Sequence, residues 1–236
     1  MSRQGVHRPP LLVQLSRYPT PGRCKRRLAV EIGAVQAART QLALSLHNLS
    51  LLHQLRARGH CAVVLATTGA GPRAWRRLLL RHGFDWPPSR CWDQGRGGLG
   101  TRMARLIRRG LARGHRAVLL IGSDCPCLSV SELEQALQSL GQSDGGSCPG
   151  PARRGRLVLG PAVDGGYWLI GLDRDVPQLF CGMPWGGDQV RALTCATARQ
   201  TGLQLRLLRF QRDLDRRQDL GPWLAAPGQG PALRLC

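Results

Sequence analysis

The sequence predicts an α/β protein built on a mostly parallel, doubly wound, Rossmann-like twisted sheet. Short apolar runs alternate with stretches of helical periodicity along the whole chain. The clearest run, Ala117–Ile121, is apolar at all five positions and bounded by Gly122, as expected of a strand buried on both faces. The 236 residues contain no internal repeat and no Pro/Ser-rich linker, which points to one core.

In chain order, Pro9-Pro10 introduces the strand L-L-V-Q-L-S. The segment Arg17–Leu28, R-Y-P-T-P-G-R-C-K-R-R-L, is a shaped loop entering a helix near Lys25. Such a loop after a first strand, rich in backbone amides and cations, suits a diphosphate. Lys25 is the only lysine in a chain that otherwise uses arginine, so a compact point charge is expected to matter there. Gly33 ends the short helix, and Ala34–Arg58, closed by Gly59, reads as a long core helix in which His47 and His53 are structural. Cys61–Thr67 is the second buried strand. Arg73–His82 is a short basic helix facing inward through Leu78, Leu79 and Leu80.

The segment C-W-D-Q-G-R-G-G-L-G-T-R-M is read as a glycine loop that lets backbone approach a ligand. Leu99, Met103, Leu106, Ile107 and Leu111 fall at helical spacing, so a helix begins at the end of that loop and offers a second anion contact. After the central strand, Asp124 stands where ligands of open α/β sheets bind, and the proline two residues on stiffens its loop. A carboxylate there is well placed to hold a divalent cation. S-V-S-E-L-E-Q-A-L-Q-S-L is an amphipathic helix with a serine cap. Gly141–Gly155 reads as a flexible surface loop. The strand Arg156–Gly160 leads through Asp164-Gly165-Gly166, which serves equally a hairpin turn or a site, into the strand Tyr167–Leu172. F-C-G-M-P-W-G-G precedes a helix reaching about Arg199, and L-Q-L-R-L-L-R-F is a late strand. Asp213, Asp215 and Asp219 follow it, a concentration of carboxylates in an acid-poor chain.

The formal net charge is +20 and the isoelectric point about 11.4. The arginines are spread singly or in pairs with no basic arm, and aromatics make up 5%, so platforms for stacking single-stranded nucleic acid are scarce. Nucleic-acid binding without catalysis is therefore not expected, whereas steering of phosphate-bearing ligands is. Nine cysteines without metal-type pairing and no apolar leader at the start predict free thiols in the cytoplasm. Cys125 and Cys127 form a lone C-x-C, a weak zinc pattern. No run is long enough to cross a bilayer.

Six segments then occur in a familiar order: R-Y-P-T-P-G-R-C-K-R-R-L, W-D-Q-G-R-G-G-L-G-T-R-M, I-G-S-D-C-P, G-P-A-V-D-G-G-Y-W-L-I-G-L, P-W-G and D-L-D-R-R-Q-D-L. In this order the chain, over roughly residues 11–224, resembles the DUF2064 family. These are GT-A-fold proteins described as glycosyltransferases, one branch being associated with arsenosugar biosynthesis. The first loop is also similar to the K-x-R-L loop of nucleotidyltransferases such as the phospholactate guanylyltransferases. Three positions depart from the family pattern. Lys25-Arg26-Arg27-Leu28 replaces Lys-Thr-Arg-Leu, Val163 stands where an acid is usual, and Gly187 replaces a hydroxyl residue.

The resemblance implies a single GT-A-like (nucleotide-diphospho-sugar transferase) domain over 11–224, between a disordered 1–10 and a flexible tail 225–236. It implies a nucleotide-sugar donor, a small-molecule acceptor and Mg²⁺ or Mn²⁺ as cofactor. Arg17, Lys25 and Arg27 would neutralise donor phosphates, with Pro21 and Gly22 shaping the loop, and Gln94, Gly95 and Gly98 would line the nucleoside. Asp124 and Asp215 would hold the metal. Asp164, as candidate base, would face the acceptor with Gly165, Gly166, Tyr167 and Trp185, and Lys25 and Asp164 are the expected catalytic pair. The alternative is a nucleotidyltransferase joining an NTP to a phosphorylated small molecule with release of pyrophosphate.

Overall fold

The computed structural model describes residues 8–141 and 154–221. Strands β1 (Leu11–Arg17), β2 (Ala62–Thr68), β3 (Cys91–Asp93), β4 (Val118–Ile121), β5 (Arg156–Pro161), β6 (Tyr167–Leu172) and β7 (Gln204–Leu207) form one seven-stranded sheet in the order β3-β2-β1-β4-β6-β5-β7. Only β6 runs against its neighbours, because it leaves β5 through a hairpin; every other pairing is parallel. The sheet is thus mixed and mostly parallel, as expected.

Alternation along the strands divides the core between the two faces. Leu12, Leu65, Leu119 and Ile121 face a layer that includes α2 (Ala34–Ala57), α3 (Pro72–Arg81) and α5 (Val130–Gly141). Leu11, Val13, Val64, Val118 and Leu120 face α4 (Leu99–Leu111) and α6 (Val190–Gln200). The short α1 (Arg26–Ile32) joins the start of α2 in a smaller cluster around Leu28, Leu44 and Leu214. Helix α5 starts with the serine cap expected: Ser129 and Glu132 exchange side-chain and backbone bonds as a capping box. Among the described residues no helix is long and apolar enough to cross a membrane.

Several expectations change. Arg8–Pro10, assigned to a disordered start, are tied to the sheet: Arg8 bridges His115, and the Pro10 carbonyl accepts from Ala62. Cys91–Asp93, read as part of the glycine loop, is an edge strand because Cys91 and Trp92 are buried. Helix α3 turns Trp75 and Leu79 inward and leaves Leu80 exposed. The late strand keeps only four residues, since Phe210 is exposed and Gln211 is buried, which breaks the alternation. Most of the expected loop 141–155 and the tail 225–236 lie outside the described residues.

Candidate functional site

All strands except β6 point their carboxyl ends to one rim, and the β5–β6 hairpin turns there too. A cleft of about 500 Å³ opens at this rim. It has a carboxylate pole at the ends of β4 and β7 and an arginine rim at the ends of β1 and β2.

The carboxylate pole is assembled from three distant segments. Asp124 stands three residues beyond β4. The segment after β7 crosses the rim, with Gln211 N bonded to the Pro161 carbonyl and Leu214 N to the Asp124 carbonyl. Leu214 is buried against Leu28 and Leu44, so in this extended D-x-D stretch Asp213 and Asp215 turn the other way, into the cleft. Arg209 and Gln211 anchor the segment further through buried Glu132. Burial would raise the Glu132 pKa, but its bonds from Arg209 and Ser129 hold it below the ordinary value.

Lys25 closes the pole. Its Nζ lies 2.7 Å from Asp124 Oδ1 and 3.4 Å from Asp215 Oδ1, and donates to the Leu214 carbonyl at 2.6 Å. Its side chain is 3% exposed, whereas those of Asp124 and Asp215 are 45% and 41% exposed. Burial would lower the Lys25 pKa; Asp124, then Asp215 and Asp213, reverse this and hold it above the ordinary value. Lys25 is also the one non-glycine residue among those described with a left-handed backbone, φ 45°. That conformation costs about 1–2 kcal/mol, and the three acceptors at the far end of the side chain hold it in place. Lys25 was expected to act on donor phosphates; in the structure its ammonium lies against Asp124 and Asp215. Arg27, equally expected on the phosphates, meets Asp215 Oδ2 at 3.3 Å from a largely exposed position.

In the sequence Asp213 stands with Asp215 and Asp219 in one carboxylate cluster, and Asp213 or Asp219 could take the place of Asp215 at a metal. In the structure Asp213 accepts the Cys125 thiol proton at 2.9 Å, and burial, then Asp124 and Asp164, push its pKa up to about 6. Burial and Asp213 raise the Cys125 pKa in turn. Cys125 therefore does structural work that its scattered position in the sequence did not suggest. Exposed Cys127 takes no part in this contact, and no group of three or more potential metal ligands of the His, Cys, Asp or Glu type occurs among the described residues. Beneath Asp124 lies a buried polar path from α2 that sequence reasoning missed. Gln41 donates to Ser123 Oγ and to Ser45 Oγ, and Asn48 donates to the Gly122 carbonyl. Its signal was Gln41, Ser45 and Asn48 at helical spacing in an otherwise apolar helix.

Asp164 forms the hairpin turn and also faces the cleft. Its Oδ1 accepts from Gly166 N at 2.9 Å. Gly165 has φ +90°, and a Cβ there would collide with the Asp188 backbone. Tyr167 and Trp185 meet edge to face at 6.3 Å and form an aromatic wall. The wall depends on Gly100 in the first turn of α4, where a Cβ would strike the Trp185 indole.

On the arginine rim, Arg17 donates to the Arg23 carbonyl at 3.1 Å. Pro21 and Gly22 form an exposed turn beside it and do not line the cleft. Gln94 lines the cleft, but its amide nitrogen is committed to the Ala66 and Ser16 carbonyls. Gly95 N is held by Asp93, and Gly98 stands at the start of α4. Arg105, which the sequence did not single out, pins the glycine loop through the Gln94 and Arg96 carbonyls.

Similar structures agree with this architecture. A crystal structure from Desulfovibrio desulfuricans G20, described as a candidate nucleotide-diphospho-sugar transferase, is 27% identical with a TM-score of 0.72, covering 89% of this chain and 84% of that one. A CMP:2-keto-3-deoxy-manno-octonic acid synthetase complexed with CTP is 13% identical with a TM-score of 0.52, covering 90% and 95%. The inositol-1-phosphate CTP transferase from T. maritima is 12% identical, also at 0.52, covering 92% and 94%. At these low identities the last two share the fold alone. None of the curated proteins compared matches the sequence. The family described as "Uncharacterized protein conserved in bacteria (DUF2064)" matches residues 51–187, more than half of the sequence, and the chain belongs to that family.

Proposed function

We propose that the protein is a metal-dependent glycosyltransferase that moves a sugar from a nucleotide-sugar donor to a small-molecule acceptor. One observation carries this reading. Asp124, Lys25 and Asp215, from three distant segments, meet in a cleft that also has a cationic rim and an aromatic wall. A diphosphate leaving group needs positive charge, a sugar packs on aromatic faces, and Asp164 at the hairpin turn is a candidate base for the acceptor hydroxyl. The likeness to the Desulfovibrio protein, described as a candidate nucleotide-diphospho-sugar transferase, supports the donor class.

The donor set fits a divalent cation. Asp124 and Asp215 supply hard carboxylate oxygens, each side chain nearly half exposed to the cleft, and such ligands suit Mg²⁺ or Mn²⁺. When bound, the ion would act as a Lewis acid on the departing diphosphate. Lys25 keeps the two carboxylates together at the floor of the cleft, and Asp164 takes up the acceptor proton. Leu99, Met103 and Ile170 add apolar lining beside the aromatic wall and restrict water.

The test is a product assay with sugar nucleotides and, separately, nucleoside triphosphates plus phosphorylated acceptors, with Mg²⁺ or Mn²⁺. Release of nucleoside diphosphate from sugar nucleotides supports the proposal. Pyrophosphate released from triphosphates would replace it with nucleotidyl transfer.

A further inference from the structure

One face of α2 backs both halves of the carboxylate pole. Gln41, Leu44, Ser45 and Asn48 are spaced at i, i+3, i+4 and i+7, so they line one side of the helix. Leu44 packs with Leu214, which stands between the two aspartates of the D-x-D stretch. The other three are polar yet buried, at 4%, 0% and 0% exposure. A helix packed on a sheet gains nothing by hiding amides and hydroxyls unless they have bonds to make.

Those bonds converge on the three residues that end in Asp124. Asn48 Nδ2 donates to the Gly122 carbonyl at 3.2 Å. Gln41 Nε2 donates to Ser123 Oγ at 3.0 Å, and the Ser123 hydroxyl donates to Asp124 Oδ1 over a longer 3.5 Å. That oxygen also meets Lys25 at 2.7 Å, which leaves Oδ2 for a ligand in the cleft. Gln41 is itself fixed. Its Nε2 also donates to Ser45 Oγ at 3.2 Å, the Ser45 hydroxyl returns to the Gln41 carbonyl at 2.9 Å, and Gln14 on β1 donates to the Ser45 carbonyl at 3.0 Å. Asn48 keeps its bond although its own Oδ1 has no partner among the described residues. A leucine would pack there without that orphaned oxygen, so packing does not account for the amide.

We infer that Gln41 is a positioning residue that sets the orientation of Asp124 through Ser123, with Asn48 fixing the strand end beneath it. The inference rests on the reading that Asp124 holds the metal ion. A path of amide and hydroxyl carries no charge of its own, so it aims the carboxylate without neutralising it. Partners of this kind orient a metal ligand from behind. No bond is made or broken along the path.

The probe is Mn²⁺ alone, titrated into the full chain and followed by electron paramagnetic resonance. Gln41→Leu and Ser123→Ala should each weaken Mn²⁺ binding about tenfold to a hundredfold, the range for losing a partner behind a metal ligand. The double variant should be no weaker than the poorer single one, because both changes cut the same path. A much weaker double variant would mean that Gln41 acts on the ion by itself, and would overturn the inference. Thr40→Val is the control for a loosened helix. Thr40 is equally buried on α2, but its hydroxyl donates to the Gln36 carbonyl, away from the path, so the affinity should stay at the parent's value. Equal weakening there, or an unchanged Gln41→Leu, would also overturn the inference. Ser123→Ala removes a single buried oxygen and carries the test should Gln41→Leu fail to fold. A second readout needs no ion. With ¹⁵N-labelled lysine, the ammonium signal of Lys25 reports on the carboxylate it meets, and both path variants should shift it while Thr40→Val does not. If the parent binds no Mn²⁺ but these shifts appear, the metal reading fails and the positioning stands. If the signal stays in place in both path variants, the positioning fails whatever the ion does.

Discussion

The two sides of the cleft are built on opposite plans. At the carboxylate pole each charge has a partner: Lys25 grips Asp124 and Asp215, Cys125 donates to Asp213, and Arg27 covers Asp215. At the arginine rim Arg17 and Arg102 lean on backbone carbonyls and make no ion pair with a carboxylate. The pole links three segments of chain, so its charges belong to the fold as much as to the chemistry. The rim is nearly independent of the fold and is free to answer a ligand. Substitutions on the two sides should therefore fail differently.

The largest effect is expected from Asp124→Asn. Loss of Lewis-acid stabilisation worth several kcal/mol corresponds to about a thousandfold in turnover. Mn²⁺-dependent nucleotide binding should disappear while circular dichroism stays that of the parent. If the variant binds metal and nucleotide as the parent does, Asp124 holds no ion.

Lys25→Met comes next and tests the pole as structure. Removing one partner of a buried ion pair costs about 3–5 kcal/mol, and half-exposed carboxylates reduce this to about 2 kcal/mol. In a domain of this size that is a fall of about 4–8 °C in Tm. Arg102→Ala, with the same change in charge, should stay within about a degree. Similar shifts in the two variants would erase the distinction between pole and rim.

The smallest effect concerns Glu132, which anchors the segment carrying the pole. Its folded pKa lies below the ordinary value, so its contribution is complete above the unfolded carboxylate's pKa. That contribution is lost as pH falls through the folded value. Because Arg209 is 62% exposed, about 1 kcal/mol is at stake. Urea midpoints from pH 7 down to pH 3 should show the parent losing its advantage over Glu132→Gln, and a constant gap would rule out the anchor.

Much of this was legible from periodicity alone. The runs at β1, β2 and β4 gave strands, the spacing from Leu99 to Leu111 gave α4, and the end of a buried run placed Asp124 at the rim where the cleft opens. What stayed hidden was pairing at long range. Lys25 and Leu214 are 189 positions apart, and no local pattern announces that an ammonium will seek that carbonyl. The same holds for Cys125 and Asp213, 88 positions apart, and for Arg8 bridging His115. Asp164 was ambiguous because a turn and a site ask for the same residues, and the structure uses it for the turn while leaving it in the cleft.

The one lysine of the sequence has a practical consequence, since its side chain is almost wholly enclosed. An acylating reagent offered to the folded chain finds the α-amine and a single hidden ε-amine, kept protonated by the carboxylates around it. Modification of that amine measures how often the grip opens. The whole chain thus carries a built-in reporter on its own cleft, read by mass and free of background from other lysines.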